Sequence, residues 1–198
     1  MARSKNVVRQ LGNPRGLFGR FILWWLNSLN RGMNDLAFTS LGLTNEDHVL
    51  EIGFGGGTLI GRILSKSNAR VAGTDISALA IQSVTKQYRD AISNGRLQFT
   101  KSEGTSLPYE DGAFSRVCCV NVIYFWADVP AMIKEAYRVL DDGGKFIVCY
   151  QESAPDGLAK FPINRVESSL SAAGFVDIVT VDGADNKSRA YHCTIATK

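Results

Sequence analysis

Val49-Leu50-Glu51-Ile52-Gly53-Phe54-Gly55-Gly56-Gly57 is the stretch from which the fold follows. Val49 to Ile52 is an apolar run with the look of a buried strand, and it enters four glycines, Gly53, Gly55, Gly56 and Gly57. A helical pattern comes next, with Leu59, Ile60, Ile63 and Leu64 on one face. Strand, glycine turn and helix make the first half of a nucleotide-binding crossover unit. The glycines permit a tight turn and let a ligand approach the backbone. The first turn of the helix offers it unpaired N–H groups.

Two ligand classes use such a turn. The dinucleotide fingerprint G-x-G-x-x-G needs a third glycine at position 58, where Thr58 stands. The spacing is instead E-x-G-x-G-x-G, carried by Glu51, Gly53, Gly55 and Gly57. In this the chain resembles the class I S-adenosylmethionine-dependent methyltransferases. Asp75 ends the next strand in Gly-Thr-Asp-Ile-Ser, followed by Ile76, and an acid there can accept from both hydroxyls of a ribose. The alternative for Asp75 is to cap the following helix, which Ser77 could do equally well, so the ribose role is preferred.

Glu103-Gly104-Thr105-Ser106-Leu107-Pro108-Tyr109 is similar to the acidic-Ala-x-x-Leu-Pro-Phe stretch of the ubiquinone and menaquinone type of these enzymes. The resemblance implies that Glu103 accepts from the adenine amino group and that the Gly104 N–H meets the ring. Tyr137-Arg138-Val139-Leu140-Asp141-Asp142-Gly143-Gly144 resembles the family's Arg-Val-Leu-x-Pro-Gly-Gly turn, with Asp142 in place of proline. The likeness covers roughly residues 45–151. It implies cofactor contacts at Glu51, Gly53, Phe54, Gly55, Gly57, Asp75, Ile76, Glu103, Gly104 and, through backbone, Asn121.

The expected fold is α/β and Rossmann-like. It has a seven-stranded, mostly parallel sheet, helices on both faces and a final antiparallel strand. Strands are expected at 48–54, 70–76, 97–101, 114–122, 145–150, 175–181 and 190–196, and helices at about 77–93, 129–140 and from Pro162 onward. Gly143-Gly144 is expected to end the second of these helices. The chain is expected to be one domain: a helical cap at 1–44, a cofactor-binding core at 45–151, and a C-terminal helix and strands at 152–198. Within the cap, Leu17–Leu36 is helical in pattern, and Gly32 is a candidate break. Asn27, Asn30, Arg31 and Asn34 form a polar stripe, and Phe18, Phe21, Ile22, Trp25 and Leu29 an apolar one.

Composition limits the partners. Hydrophobic residues make up 45% and charged residues 21%, the balance of a soluble globular protein. The longest apolar run, Phe21–Leu26, is far short of the ~20 residues a membrane span needs. No secretory signal is evident at the N-terminus. The net charge of +3 is uneven, because the residues up to Asn34 hold six basic groups and no acid. The remainder holds 16 basic against 19 acidic groups, a poor surface for nucleic acid. The basic arm allows a weak contact with a membrane surface. The four cysteines lack metal-ligand spacing and fit buried reduced thiols, so the expectation is a cytoplasmic protein without metal, a monomer or homodimer.

At the reacting edge stand Asn121, Tyr124, Phe125 and Trp126. Asn121 and Tyr124 have the spacing of the Asn-Pro-Pro-Tyr motif of base methylases, but both prolines are missing. Tyr124, Phe125 and Trp126, with Phe21 and Trp25 from the cap, are expected to line a pocket for a small apolar or aromatic acceptor. Methyl transfer from a sulfonium is an in-line displacement in which alignment can contribute roughly 7–11 kcal/mol. A base is needed only for an acceptor that must lose a proton, and Tyr124 and His192 are the candidates; His48 stands at the far edge. Three other functions stay open: a phospholipid head-group N-methyltransferase at a membrane surface, a nucleotide-dependent oxidoreductase and a noncatalytic cofactor-binding module.

Overall fold

The computed structural model describes residues 12–16, 19, 28–103, 105–152, 160–184 and 190–198. Helix α1 (Arg31–Leu41) precedes β1 (His48–Ile52), α2 (Thr58–Lys66) and β2 (Arg70–Asp75). Then come α3 (Ala78–Gln87), α4 (Arg89–Ser93), β3 (Leu97–Lys101) and β4 (Phe114–Val120). A 3-10 turn at Ile123–Phe125 leads to α5 (Val129–Val139) and β5 (Leu140–Tyr150). Helix α6 (Ile163–Ala172), β6 (Val176–Ala184) and β7 (Ala190–Thr197) complete the chain.

The seven strands form one sheet in the order β3-β2-β1-β4-β5-β7-β6. Pairing is parallel from β3 through β5, and only β7 runs against its neighbours. This is the expected architecture. Strand order reverses between β1 and β4, so a crevice opens at their C-terminal ends. Val49, Leu50 and Ile52 are all buried, as a central parallel strand covered on both faces requires.

Two apolar layers hold the sheet. One takes Met132, Ile133 and Ala136 of α5 and Val166 and Leu170 of α6. The other takes Met33, Ala37 and Leu41 of α1, Leu59 and Ile63 of α2, and Val84 of α3. The expected cap of residues 1–44 thus ends in a helix packed into the core. At the sheet's opposite end, Asp47 accepts from Thr44 N–H at 2.7 Å and Ser115 Oγ at 2.6 Å, anchoring the entry to β1. His48 Nδ1 lies 2.9 Å from the Ala113 carbonyl there, away from the crevice. All four cysteines are buried free thiols.

Three local expectations need correction. The helical pattern is interrupted at Asn30 rather than at Gly32, which lies in the first turn of α1, where a Cβ would sit 2.6 Å from the Tyr191 hydroxyl. Of the polar stripe, Asn34 is buried, Asn30 bonds across to Asn121 and Arg31 is exposed, while Asn27 lies outside the described residues. The helix expected at 77–93 is two helices parted at Tyr88, whose hydroxyl donates to the Gly57 carbonyl at 3.1 Å. Gly143-Gly144 lies within β5, since α5 already ends at Val139.

Candidate active site

Gly53, Gly55 and Gly57 have φ of 73°, 52° and 73°, a left-handed region that favours glycine. Two are also fixed by neighbours. A Cβ on Gly53 would meet Val122 at 2.7 Å, and one on Gly57 would meet Val84 at 2.8 Å. Gly55 N–H donates to Asp75 Oδ2 at 2.9 Å, and Ser77 N–H donates to Oδ1 at 2.8 Å. Asp75 therefore ties the end of β2 to the glycine turn, and the Ile76 N–H is a third backbone donor to its carboxylate. Burial raises its pKa against these bonds. Helix α3 is capped by Ser77, whose Oγ accepts from Ala80 N–H at 3.3 Å.

Glu51 is placed behind the turn rather than in it. Its carboxyl takes the Ile60 N–H in the first turn of α2, and its Oε2 is buried without a partner. Burial, and then the nearby Asp75 charge, push its pKa up to about 8. The Phe54 side chain also turns inward, against the Phe99 ring at 4.8 Å, so that only its backbone belongs to the turn.

Beyond β2 and β3 lies a cavity of about 610 Å³. The expected Ile76 and Glu103 meet there, and Ile76 is exposed. The cavity's other wall is a segment that sequence reasoning missed, Asn13 to Gly16, together with Lys101. Ser77 Oγ donates to the Pro14 carbonyl at 3.0 Å and fastens this segment. Only the Gly12-Asn13-Pro14 turn signal hinted at it. Gly104, Phe21 and Trp25 lie outside the described residues.

At the end of β4, Asn121 adopts a left-handed φ of 59°. Its N–H donates to the Cys149 carbonyl at 2.7 Å, and its Nδ2 donates to Asn30 Oδ1 at 3.1 Å. The 3-10 turn then presents Phe125 and Trp126, both half-buried. Gly12 lies so close to Phe125 that a Cβ would come within 2.7 Å of the ring.

Tyr124 does not have the environment of a base. Its hydroxyl donates to the Gln151 carbonyl at 2.7 Å and accepts the Gln151 N–H. The ring is buried against Phe161, and burial drives the phenol pKa far up. Tyr124 braces the exit of β5. His192 pairs in register with Tyr150 at the last rung of β5, and its Nδ1 is 2.7 Å from Asp182 Oδ1. Among the described residues no group of three or more His, Cys, Asp or Glu could hold a metal. No helix among them is long and apolar enough to cross a membrane.

Known proteins agree with this geometry. The chain is 25% identical over 154 residues to an uncharacterized methyltransferase, YdaC, of Bacillus subtilis, covering 75% of this chain and 82% of that one. It is 30% identical over 105 residues to the ubiquinone/menaquinone biosynthesis C-methyltransferase UbiE of Rickettsia akari, covering 50% of this chain and 42% of that one. In structure it matches the [4+2]-cyclase SpnF with a TM-score of 0.74 at 19% identity, over 84% of this chain and 79% of that one, a likeness of fold alone. The model of the methyltransferase domain family matches residues 50–148, half of the chain, reaching from β1 to β5. The chain belongs to that family and is a class I S-adenosylmethionine-dependent methyltransferase.

Proposed function

We propose that the crevice binds S-adenosylmethionine and directs its methyl group to a small apolar or aromatic acceptor by in-line displacement. The observation that carries the reading is Asp75. Its carboxylate is pinned beside the glycine turn by the N–H groups of Gly55, Ser77 and Ile76, a place from which an acid can meet the hydroxyls of a ribose. Ile76 and Glu103 line the adjoining cavity and suit an adenine. Glu51 braces the turn from behind through Ile60. The family membership speaks against the oxidoreductase and the noncatalytic module.

When bound, the cofactor supplies an electrophilic sulfonium methyl. The chain's own residues then align and exclude water. Phe125 and Trp126 offer the acceptor an apolar wall beside β4, and the quinone-pathway relative is in keeping with such an acceptor. Positioning of this kind is the main source of rate in a displacement. Where the acceptor must lose a proton, His192 is the group we assign, held by Asp182 at the same edge of the sheet.

Calorimetry tests the reading. S-adenosylhomocysteine should bind, and NAD should bind much more weakly. Asp75→Ala should weaken S-adenosylhomocysteine by roughly 1–3 kcal/mol, the scale of hydrogen bonds to a charged group. Unchanged affinity in a well-folded Asp75→Ala protein removes the ribose assignment.

A further inference from the structure

We infer that the amide pair Asn30–Asn121 receives the α-amino-acid end of the cofactor, with Asn30 as a donor to its carboxylate. The inference rests on the proposed cofactor and adds to it a residue from the N-terminal segment. Asn121 stands where β4 leaves the sheet, beside the point at which strand order reverses. Its left-handed backbone is one that asparagine tolerates better than most residues. Its side chain is held by Asn30, 91 residues away in sequence.

Asn30 is placed to be rigid. It stands at the position that opens α1, where an asparagine oxygen ordinarily caps the helix, yet it makes no capping bond. The oxygen instead accepts from Asn121 Nδ2. Helix α1 is seated by buried Met33, Ala37 and Leu41, and Leu41 O accepts from Arg116 Nε at 2.9 Å. The amide is thus presented from the core.

The remaining groups of the pair define the ligand. One bond joins the two amides, and among the described residues Asn30 Nδ2 and Asn121 Oδ1 have no partner. Reversing both amides leaves the same result, one NH2 and one carbonyl side by side. A donor beside an acceptor complements a zwitterion, the carboxylate meeting the NH2 and the ammonium meeting the carbonyl. The amino-acid end of S-adenosylmethionine is such a group. An apolar acceptor molecule offers nothing comparable.

The test compares two probes on the full-length protein by calorimetry. S-adenosylhomocysteine carries the amino-acid end; 5′-methylthioadenosine has the same nucleoside and sulfur without it. Asn30→Ala should weaken S-adenosylhomocysteine about tenfold or more and leave 5′-methylthioadenosine within about twofold. Asn30→Asp keeps the acceptor for Asn121 but replaces the NH2 with negative charge. It should weaken S-adenosylhomocysteine at least as much, again sparing 5′-methylthioadenosine, and it carries the test if Asn30→Ala folds poorly. Parallel loss of both probes marks a structural role and overturns the inference, as does loss of neither. Failure of the unaltered protein to bind S-adenosylhomocysteine overturns the functional reading, and the inference with it.

Discussion

Glu51 has one oxygen on the Ile60 N–H, the other buried without a partner, and Asp75 near enough to oppose its charge. Its pKa of about 8 stands above the ordinary 4.5, so the fold prefers the protonated acid. A carboxyl raised in this way contributes stability that is complete below the unfolded value. That contribution is lost as pH rises through the folded value. Asp75 shifts in the same direction. Asp47 and Glu135 are lowered instead, Glu135 first by its bond from Arg138, and their contributions are lost only in acid, outside this window. His48, lowered first by burial, acts the other way up to its ordinary 6.5, so the cofactor-free protein should melt at progressively lower temperature from about pH 6.5 to about pH 9. Glu51→Gln, neutral throughout, should flatten the trend. Melting curves of the two proteins across that range decide it. An equal slope in Glu51→Gln would locate the effect elsewhere.

Within the elements, local pattern and distant contact compete, and α1 gives the clearest case. Gly32 has the low helix propensity of any glycine, which is why the sequence pointed to a break there. The break falls at Asn30 instead, and Gly32, in the first turn of α1, leaves room for the Tyr191 hydroxyl from β7. Gly32→Ala should therefore destabilise by about 1–3 kcal/mol despite alanine's better propensity. Tyr191→Phe should recover part of that loss in the double variant, a coupling measured by a thermodynamic cycle. A stabilised Gly32→Ala protein would show that propensity outweighs the contact. The same distinction explains what was legible. Strand positions came within a few residues because apolar runs and glycine turns are local signals. Gly143-Gly144 looked like a helix stop, yet Gly143 N–H donates to the Lys198 carbonyl and Lys198 N–H to Gly144, so the pair extends the sheet. At the site, the glycine turn and Asp75 stood out by their spacing, and Glu103, which lines the cavity, by the resemblance of its loop. Pro14 and Asn30 were not, because what identifies them is a bond to Ser77 and a bond to Asn121, each remote in sequence.

Across the whole molecule, the N-terminal part of the chain touches the crevice from both sides. Gly12 lies on Phe125 past β4, Pro14 is bonded to Ser77 past β2, and Gly19 approaches Leu79 on α3. Asn30 then reaches Asn121, and α1 enters the core. The boundary between a removable cover and the structural body thus falls before Asn30. A deletion reaching into α1 would strip Met33 from the core, and burial of such a side chain is worth about 1.5–3 kcal/mol. A chain lacking residues 1–27 is the informative one. It keeps Asn30 and α1, so it should fold, with a circular dichroism spectrum and cooperative melting like those of the full chain. It should still bind S-adenosylhomocysteine, but more weakly, because the cavity loses its wall from Asn13 to Gly16. Methyl transfer should fall much further, since the deletion removes the cover on Phe125 and the aromatic residues Phe21 and Trp25. Label moved from radiolabelled S-adenosylmethionine into the organic-extractable small molecules of a cell extract measures this. Transfer at the full-chain rate would show that the segment does not complete the acceptor site. Flotation of the full chain, but not of the shortened one, with anionic vesicles would give the basic arm a membrane role instead.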